Sequence, residues 1–257
     1  MFYFILGTVF AYGITNSGKT YVSTDEEPGV IPKSIHDVFA WIEDEALDRE
    51  FLLQVSYLEI YNEKIKDLLN SEQEMSSLEI RTHKNDVIVE GLKTLPVTTE
   101  KEVLDYIKKG QERRHISATD FNAQSSRSHT IFQLIIESKS KLSSLDPVRL
   151  SKLNLIDLAG SEKVASDLDR RHEGSHINKS LLTLGKVITS LINGSSHIPY
   201  RDSKLTRILQ TSLSGNARVA VVCTINPDVG SKEESMNTLR FAQNVKKIET
   251  RPVITRV

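Results

Sequence analysis

The chain has 257 residues, 39% hydrophobic and 26% charged, enough for one large α/β domain or two small ones and ordinary for a globular protein. Its 33 basic and 34 acidic residues leave a net charge of −1. No global field therefore draws it to nucleic acid or to an acidic membrane, and a polyanionic partner must be met by a local basic patch. Cys223 is the one cysteine, which excludes an internal disulfide and fits a reducing compartment.

In chain order, Met1 to Ile14 carries no charged side chain. It lacks a basic leader and a small-residue cleavage site, and it is shorter than the roughly 20 residues a membrane span needs. No other segment comes closer to a span. Within it, Leu6 to Tyr12 is apolar and β-prone, as a strand should be. Pro32 opens a helix with apolar residues at Ile31, Ile35, Val38, Phe39 and Ile42. Phe51 to Ile60 reads as a long strand. Ile80–Thr82 and Val87–Val89 flank a hairpin turn at Lys84-Asn85-Asp86. Thr99 with Glu102 makes a capping box for a helix running to about Arg114. Thr130 to Ser138 and Arg149 to Ile156 read as two strands around a hairpin tip from Lys139 to Pro147. Apolar residues at Ile177, Leu181, Leu184, Ile188 and Leu191 predict an amphipathic helix over Asn178 to Ile192. Lys204 to Leu213 is a further helix, Arg218 to Ile225 a buried-type strand, and Lys232 to Ile248 the last helix. Thr250 to Val257 is an extended tail broken by Pro252. Strands alternate with helices in one domain, without repeats, low-complexity tracts or a linker-like boundary.

The chemistry sits in three places. Gly13-Ile14-Thr15-Asn16-Ser17-Gly18-Lys19-Thr20 fits the phosphate loop G-x-x-x-x-G-K-[S/T], placed between a strand and residues able to start a helix. Gly13 and Gly18 let the backbone fold around a phosphate with its N–H groups inward. Lys19 would reach the β- and γ-phosphates, and the Thr20 hydroxyl would hold Mg²⁺. Asp157, at the end of a predicted strand, supplies a second carboxylate for Mg²⁺ through water, and the Gly160 N–H could touch the γ-phosphate. Asn122-Ala123-Gln124-Ser125-Ser126-Arg127-Ser128-His129 gathers hydroxyls, an amide and a guanidinium suited to phosphate, Mg²⁺ and water. Arg127 and Glu162 have opposite charges and could close over the γ-phosphate.

These residues resemble a kinesin motor domain. Phe10 to Thr20 is similar to the family's F-A-Y-G-Q-T-G-x-G-K-T loop. Gly110, Arg114, Thr119 and Asn122 through His129 fit its first switch, and Asp157-Leu158-Ala159-Gly160-Ser161-Glu162 its second. Asn178-Lys179-Ser180-Leu181 with Leu184-Gly185 resembles the relay helix. Pro199-Tyr200-Arg201-Asp202-Ser203-Lys204-Leu205-Thr206 resembles the microtubule-facing segment. The resemblance runs from Gly7 to Val257, and Asp48 to Leu53 is similar to the centromere-associated (CENP-E-like) subfamily.

The resemblance implies a P-loop NTPase fold, a central mixed β-sheet flanked by helices, lacking the family's first strands. It implies a motor domain over residues 1–249 and the start of a neck linker over 250–257. It implies an ATP-dependent microtubule motor, a microtubule-stimulated ATPase using ATP and Mg²⁺. Gly13, Ile14, Thr15, Asn16, Ser17, Gly18, Lys19 and Thr20 then bind nucleotide, and Thr20, Ser126 and Asp157 serve the metal. Ser125, Ser126, Arg127, Gly160 and Glu162 serve catalysis, with Arg127 and Glu162 ordering the attacking water. Lys179, Tyr200, Arg201, Lys204 and Arg207 face tubulin. The expected location is the cytoskeleton, with the kinetochore or spindle the narrower expectation. No heptad pattern is present, so dimerisation falls to segments outside this chain.

Three departures carry expectations. The family's N-terminal stretch, with a first central strand and an R-x-R-P adenine segment, is not matched. The chain is therefore expected to fold poorly alone and to bind ATP weakly. Ile14 stands for the usual Gln and Asn16 for a small residue, with mild effect expected in a loop that binds through backbone. The loop from Lys163 to His172 is shorter than usual, so reduced microtubule stimulation is expected. An alternative is a truncated head that holds microtubules without efficient turnover. A GTP switch is disfavoured by the absence of an N-K-x-D motif, and myosin by Arg127-Ser128-His129.

Overall fold

The computed structural model describes residues 2–19, 21, 29–70, 78–83, 86–116, 126–143, 146–162, 171–215, 217–250 and 255–256. For 2–5, 115–116, 171–178 and 255–256 it describes the backbone alone. Strand β1 (Phe2–Gly13) forms the spine of the sheet. It runs parallel to β8 (Val148–Asp157), from Phe2↔Val148 to Ala11↔Asp157. On its other side it runs parallel to β9 (Arg218–Thr224), from Gly7↔Arg218 to Gly13↔Thr224. Strand β7 (His129–Ser140) is antiparallel to both β8 and β2 (Arg49–Tyr61). Strands β3 (Lys64–Asp67) and β6 (Leu95–Val97) extend the sheet beyond β2. Thr255–Arg256, strand β10, pairs with the foot of β1 at Tyr3 and Phe4, in keeping with the extended tail expected there. Among the described residues the mixed sheet therefore has eight strands. Strands β4 (Glu79–His83) and β5 (Asp86–Glu90) form the expected hairpin apart from it, with Lys84 and Asn85 of its turn outside the described residues.

Period-2 alternation divides the sheet into two faces. Tyr57, Phe132 and Leu155 point to one core, with Ile31 and Ile35 of helix α1 (Val30–Glu45) and Val103 and Ile107 of α2 (Glu100–Ile116). Leu58, Ile131 and Ile156 point to the other, against Leu184 and Ile188 of α3 (Arg171–Ile192). Leu205 of α4 (Lys204–Ile208), Leu213 of α5 (Gln210–Leu213) and Phe241 of α6 (Lys232–Val245) complete that second core. The Phe241 ring stacks on Tyr12 of β1 at 3.7 Å.

The capping box forms as read. The Glu102 N–H donates to Thr99 Oγ1 at 3.2 Å, and the Thr99 and Thr98 N–H groups donate to the Glu102 carboxylate. Those bonds, Thr98 foremost, hold the Glu102 carboxyl below its usual range.

The structure differs from the sequence reading in several places: β1 begins at Phe2 rather than Leu6, α6 ends at Val245 rather than Ile248, and the short strands β3 and β6 were not expected. Helix α3 begins seven residues earlier than the apolar period implies, because that period marks only the turns that pack. The expected Lys204–Leu213 helix is two short ones. At Leu209 the backbone tightens to ψ −6°, with the N–H shared between the Arg207 and Leu205 carbonyls. Strand β9, read as buried, is only half-buried and has Ala220 exposed, because β1 is its one strand neighbour among the described residues. Beside it an open groove of about 360 Å³ is lined by Val219, Val221 and Cys223 from β9, Leu213 from α5, and Ala242 and Val245 from α6.

Candidate nucleotide site

The three parallel strands β1, β8 and β9 end side by side at Gly13, Asp157 and Thr224. Open α/β sheets bind ligands outside the carboxyl ends of such strands. The glycine-rich loop leaves β1 there. Added to Gly13, a Cβ would run into the Thr224 carbonyl and hydroxyl, so the close approach of β9 demands glycine. Gly18 has φ +98° and Asn16 φ +61°. Asn tolerates the left-handed region better than other side chains, which accounts for its place in this loop.

The loop is organised around one carbonyl. Ile14 O accepts from Ser17 Oγ at 2.6 Å and from Lys19 Nζ at 2.7 Å. Ser17 Oγ also pairs with Thr224 Oγ1 at 2.6 Å. The Lys19 side chain is 6% exposed; burial pushes its pKa down, while Asp157 and Glu162 oppose that. Thr20 lies outside the described residues, as does the 22–28 segment in which a helix was expected to follow the loop.

The second cluster closes on the first through backbone bonds. The Ser161 N–H donates to Gly13 O at 3.0 Å, and the Gly160 N–H donates to Ser126 O at 2.7 Å. Thus Ser126 and Gly160, far apart in sequence, meet beside the loop. A Cβ on Gly160 would meet the Glu162 carboxylate and Thr15 Oγ1. Glu162 turns its carboxylate onto Thr15, accepting from the backbone N–H at 2.9 Å and from the hydroxyl. Arg127 is half-buried in the turn before β7. Ser125, with Thr119 and Asn122, lies outside the described residues, as does the 163–170 loop.

Beneath these loops lies a buried charge network that sequence reasoning missed. Arg114 is 6% exposed, Asp157 5% and Glu59 1%. Arg114 Nη1 donates to Asp157 Oδ2 at 3.4 Å, Nε donates to Ser128 Oγ at 3.1 Å, and Nη2 donates to the Ser128 carbonyl at 3.2 Å. Glu59 Oε1 stands 3.7 Å from Arg114 Nε. Burial raises the Asp157 pKa, against the pull of Arg114 and Lys19. Among the described residues, Asp157 Oδ1 is buried with no hydrogen-bond partner. An orphaned carboxylate oxygen beside a phosphate loop fits a hydrated divalent cation, whose water would give it a donor. Arg114 belonged to the first-switch spacing, but only its burial shows that it neutralises Asp157. Glu59 carried no signal beyond being a carboxylate inside an apolar strand.

The basic segment is assembled in part. Arg201 is exposed and Tyr200 half-buried in a short 3-10 turn (Tyr200–Asp202), with Lys204 and Arg207 on the helix that follows. Burial pushes the Tyr200 phenol up. Helix α3, which carries the exposed Lys179, packs against both the turn and α4. Arg207 is already engaged, donating to Gln210 and to Thr82 of the hairpin. The Lys204 N–H donates to the Glu63 carboxylate at 2.9 Å, a link that spacing did not reveal.

A family model described as the kinesin motor domain matches residues 3–248. The chain is 51% identical over 265 residues to Kinesin-related protein 11 of Dictyostelium discoideum, covering 97% of this chain and 38% of that protein. It is 53% identical over 248 residues to Kinesin-like protein KIN-7D, mitochondrial, of Arabidopsis thaliana, covering 95% of this chain and 23% of that protein. The chain thus spans well under half the length of these relatives. Among solved structures, it is similar to that described in "Structure of a fast kinesin: Implications for ATPase mechanism and interactions with microtubules". The TM-score is 0.89 at 40% identity, over 98% of this chain and 74% of that one.

Proposed function

The chain belongs to the kinesin motor-domain family, and from that premise we propose that it is the ATP-hydrolysing, microtubule-binding head of a motor. One observation carries the reading: Gly13 and Ser161, and Gly160 and Ser126, are joined by backbone bonds at the carboxyl end of the sheet. A phosphate bound in the loop therefore lies against both switches. Lys19 and Ser17 now satisfy the Ile14 carbonyl and can turn to phosphate oxygens. Thr20, Ser126 and Asp157 would hold Mg²⁺, with Ser125 beside the γ-phosphate. The ion, when bound, neutralises charge on the phosphate oxygens. Arg127 and Glu162 order the attacking water. To do so, Glu162 must leave Thr15, whose N–H it occupies here. Positioning and electrostatics of this kind are most of what phosphoryl transfer requires.

Lys179, Tyr200, Arg201, Lys204 and Arg207 form the tubulin-facing patch, local basic charge on a chain of net charge −1. In our reading the motor domain covers residues 1–249, 250–257 begin the neck linker, and dimerisation belongs to other segments. Several relatives carry KIN-7 names, some of them labelled mitochondrial or chloroplastic. The Asp48–Leu53 stretch supports the centromere-associated branch within the family, and with it a kinetochore or spindle site on the microtubule cytoskeleton. Among the described residues no helix is long and apolar enough to cross a membrane.

The hold of Glu162 on Thr15 favours a second reading, a head that binds microtubules without efficient turnover. Phosphate release from ATP, with and without microtubules, separates the two. Motor chemistry requires release by the wild type, accelerated by microtubules and abolished in Lys19→Ala. Equal, background release by both proteins, with cosedimentation on microtubules retained, supports the binding module.

A further inference from the structure

His129 is the first residue of β7 and is 2% exposed. Its two ring nitrogens are spent on two different elements. The Ala159 backbone N–H donates to Nδ1 at 2.9 Å, and Nε2 lies 2.8 Å from Ser180 Oγ. A backbone N–H can only donate, so Nδ1 is unprotonated. The neutral ring then carries its proton on Nε2 and donates to Ser180. Burial holds the pKa at about 3, so this tautomer persists at any physiological pH.

The placement of the two ends matters. Ala159 lies between Asp157 at the end of β8 and Gly160, whose N–H reaches Ser126. Ser180 is buried on α3, next to the exposed Lys179. The ring itself is anchored in the sheet, where His129 stands in register with Ile60. A planar ring with partners on opposite sides cannot follow one of them without straining its bond to the other. A shift of the second-switch backbone therefore either strands a buried donor or carries the Ser180 turn with it.

We propose that His129 is a positioning residue that couples the second-switch backbone at Ala159 to helix α3 at Ser180, and so to the surface beside Lys179. The inference rests on the functional reading above, which makes Gly160 a phosphate sensor and Lys179 a tubulin contact. The role of His129 is to make microtubule affinity depend on nucleotide state.

The test measures microtubule affinity by cosedimentation, with ADP and with a non-hydrolysable ATP analogue, and basal ATP turnover without microtubules. It compares wild type with Ser180→Ala, Ser180→Thr and His129→Asn. Ser180→Ala strands the buried Nε2–H and should lower the thermal midpoint somewhat, but it should leave basal turnover unchanged while reducing the ratio of the two affinities ~5-fold or more, the scale of a coupling free energy. Ser180→Thr, which keeps the hydroxyl, should restore the ratio. His129→Asn can still accept from Ala159 but cannot reach Ser180, and should behave like Ser180→Ala; if it does not fold, Ser180→Ala decides. A wild-type ratio retained in Ser180→Ala overturns the proposal alone. A wild type whose affinity ignores nucleotide overturns the functional reading, and the proposal with it.

Discussion

Gly110 shows what a single position can require. It lies on α2, and a Cβ there would run into the Tyr57 ring, itself buried in the core. The motif spacing marked Gly110, but its reason is the helix-to-strand contact, which no local pattern encodes. Gly110→Ala gains helix propensity yet overpacks the core. We expect a loss of about 1–3 kcal/mol, read as a lower urea midpoint. His129 sets a pH dependence of known sign. Its pKa falls from 6.5 to about 3 on folding, chiefly through burial and secondarily through Arg114. Its contribution is therefore fully present above pH 6.5 and is lost as pH falls toward 3. The loss is about 1.4 kcal/mol per pH unit below 6.5. Between pH 7.5 and 5.5 the wild type should lose more stability than His129→Gln, measured by urea titration at both pH values.

Among the elements, the turn between β2 and β3 ties the sheet to the basic segment. Asn62 and Glu63 have φ of 50° and 55°, conformations that cost free energy for side chains other than glycine. Glu63 holds its place because its carboxylate accepts from the Lys204 N–H at the start of α4. Ser203 caps the same helix, accepting from the Thr206 N–H at 3.1 Å. Glu63→Ala keeps the strained turn and removes the partner. We expect a local cost of about 1–2 kcal/mol. Amide exchange over Lys204 to Arg207 should then quicken by roughly 5- to 30-fold, with little change in distant strands. The elements themselves were largely legible. The long strands showed as β-prone runs and α2 announced its own cap, whereas the short strands β3 and β6 carried no such signal. Longer reach was not legible: α3 extends beyond its packed face, and α4 and α5 part at Leu209 for reasons of backbone geometry.

For the molecule as a whole, the consequential feature is β9. Its sequence is that of a strand buried on both sides, yet it pairs with β1 alone among the described residues and leaves Ala220 exposed. An unblunted apolar edge templates association. The chain by itself should associate as its concentration rises, seen by sedimentation velocity, and Ala220→Lys should reduce this. A wild type that stays monomeric as its concentration rises would contradict this expectation.

Sequence alone marked a phosphate-loop pattern, two switch-like motifs and most of the longer strands and helices, and through them the family. These are local patterns whose chemistry depends on residue type and short spacing. Tertiary structure decided the rest. It placed Glu162 on Thr15, buried Arg114 between Glu59 and Asp157, left Asp157 Oδ1 without a donor among the described residues, and strung His129 between Ala159 and Ser180. Those pairings join residues far apart in the chain. They exist because the parallel strands β1, β8 and β9 end together and the helices pack over their ends. Burial then converts ordinary side chains into charges and donors that must find one another.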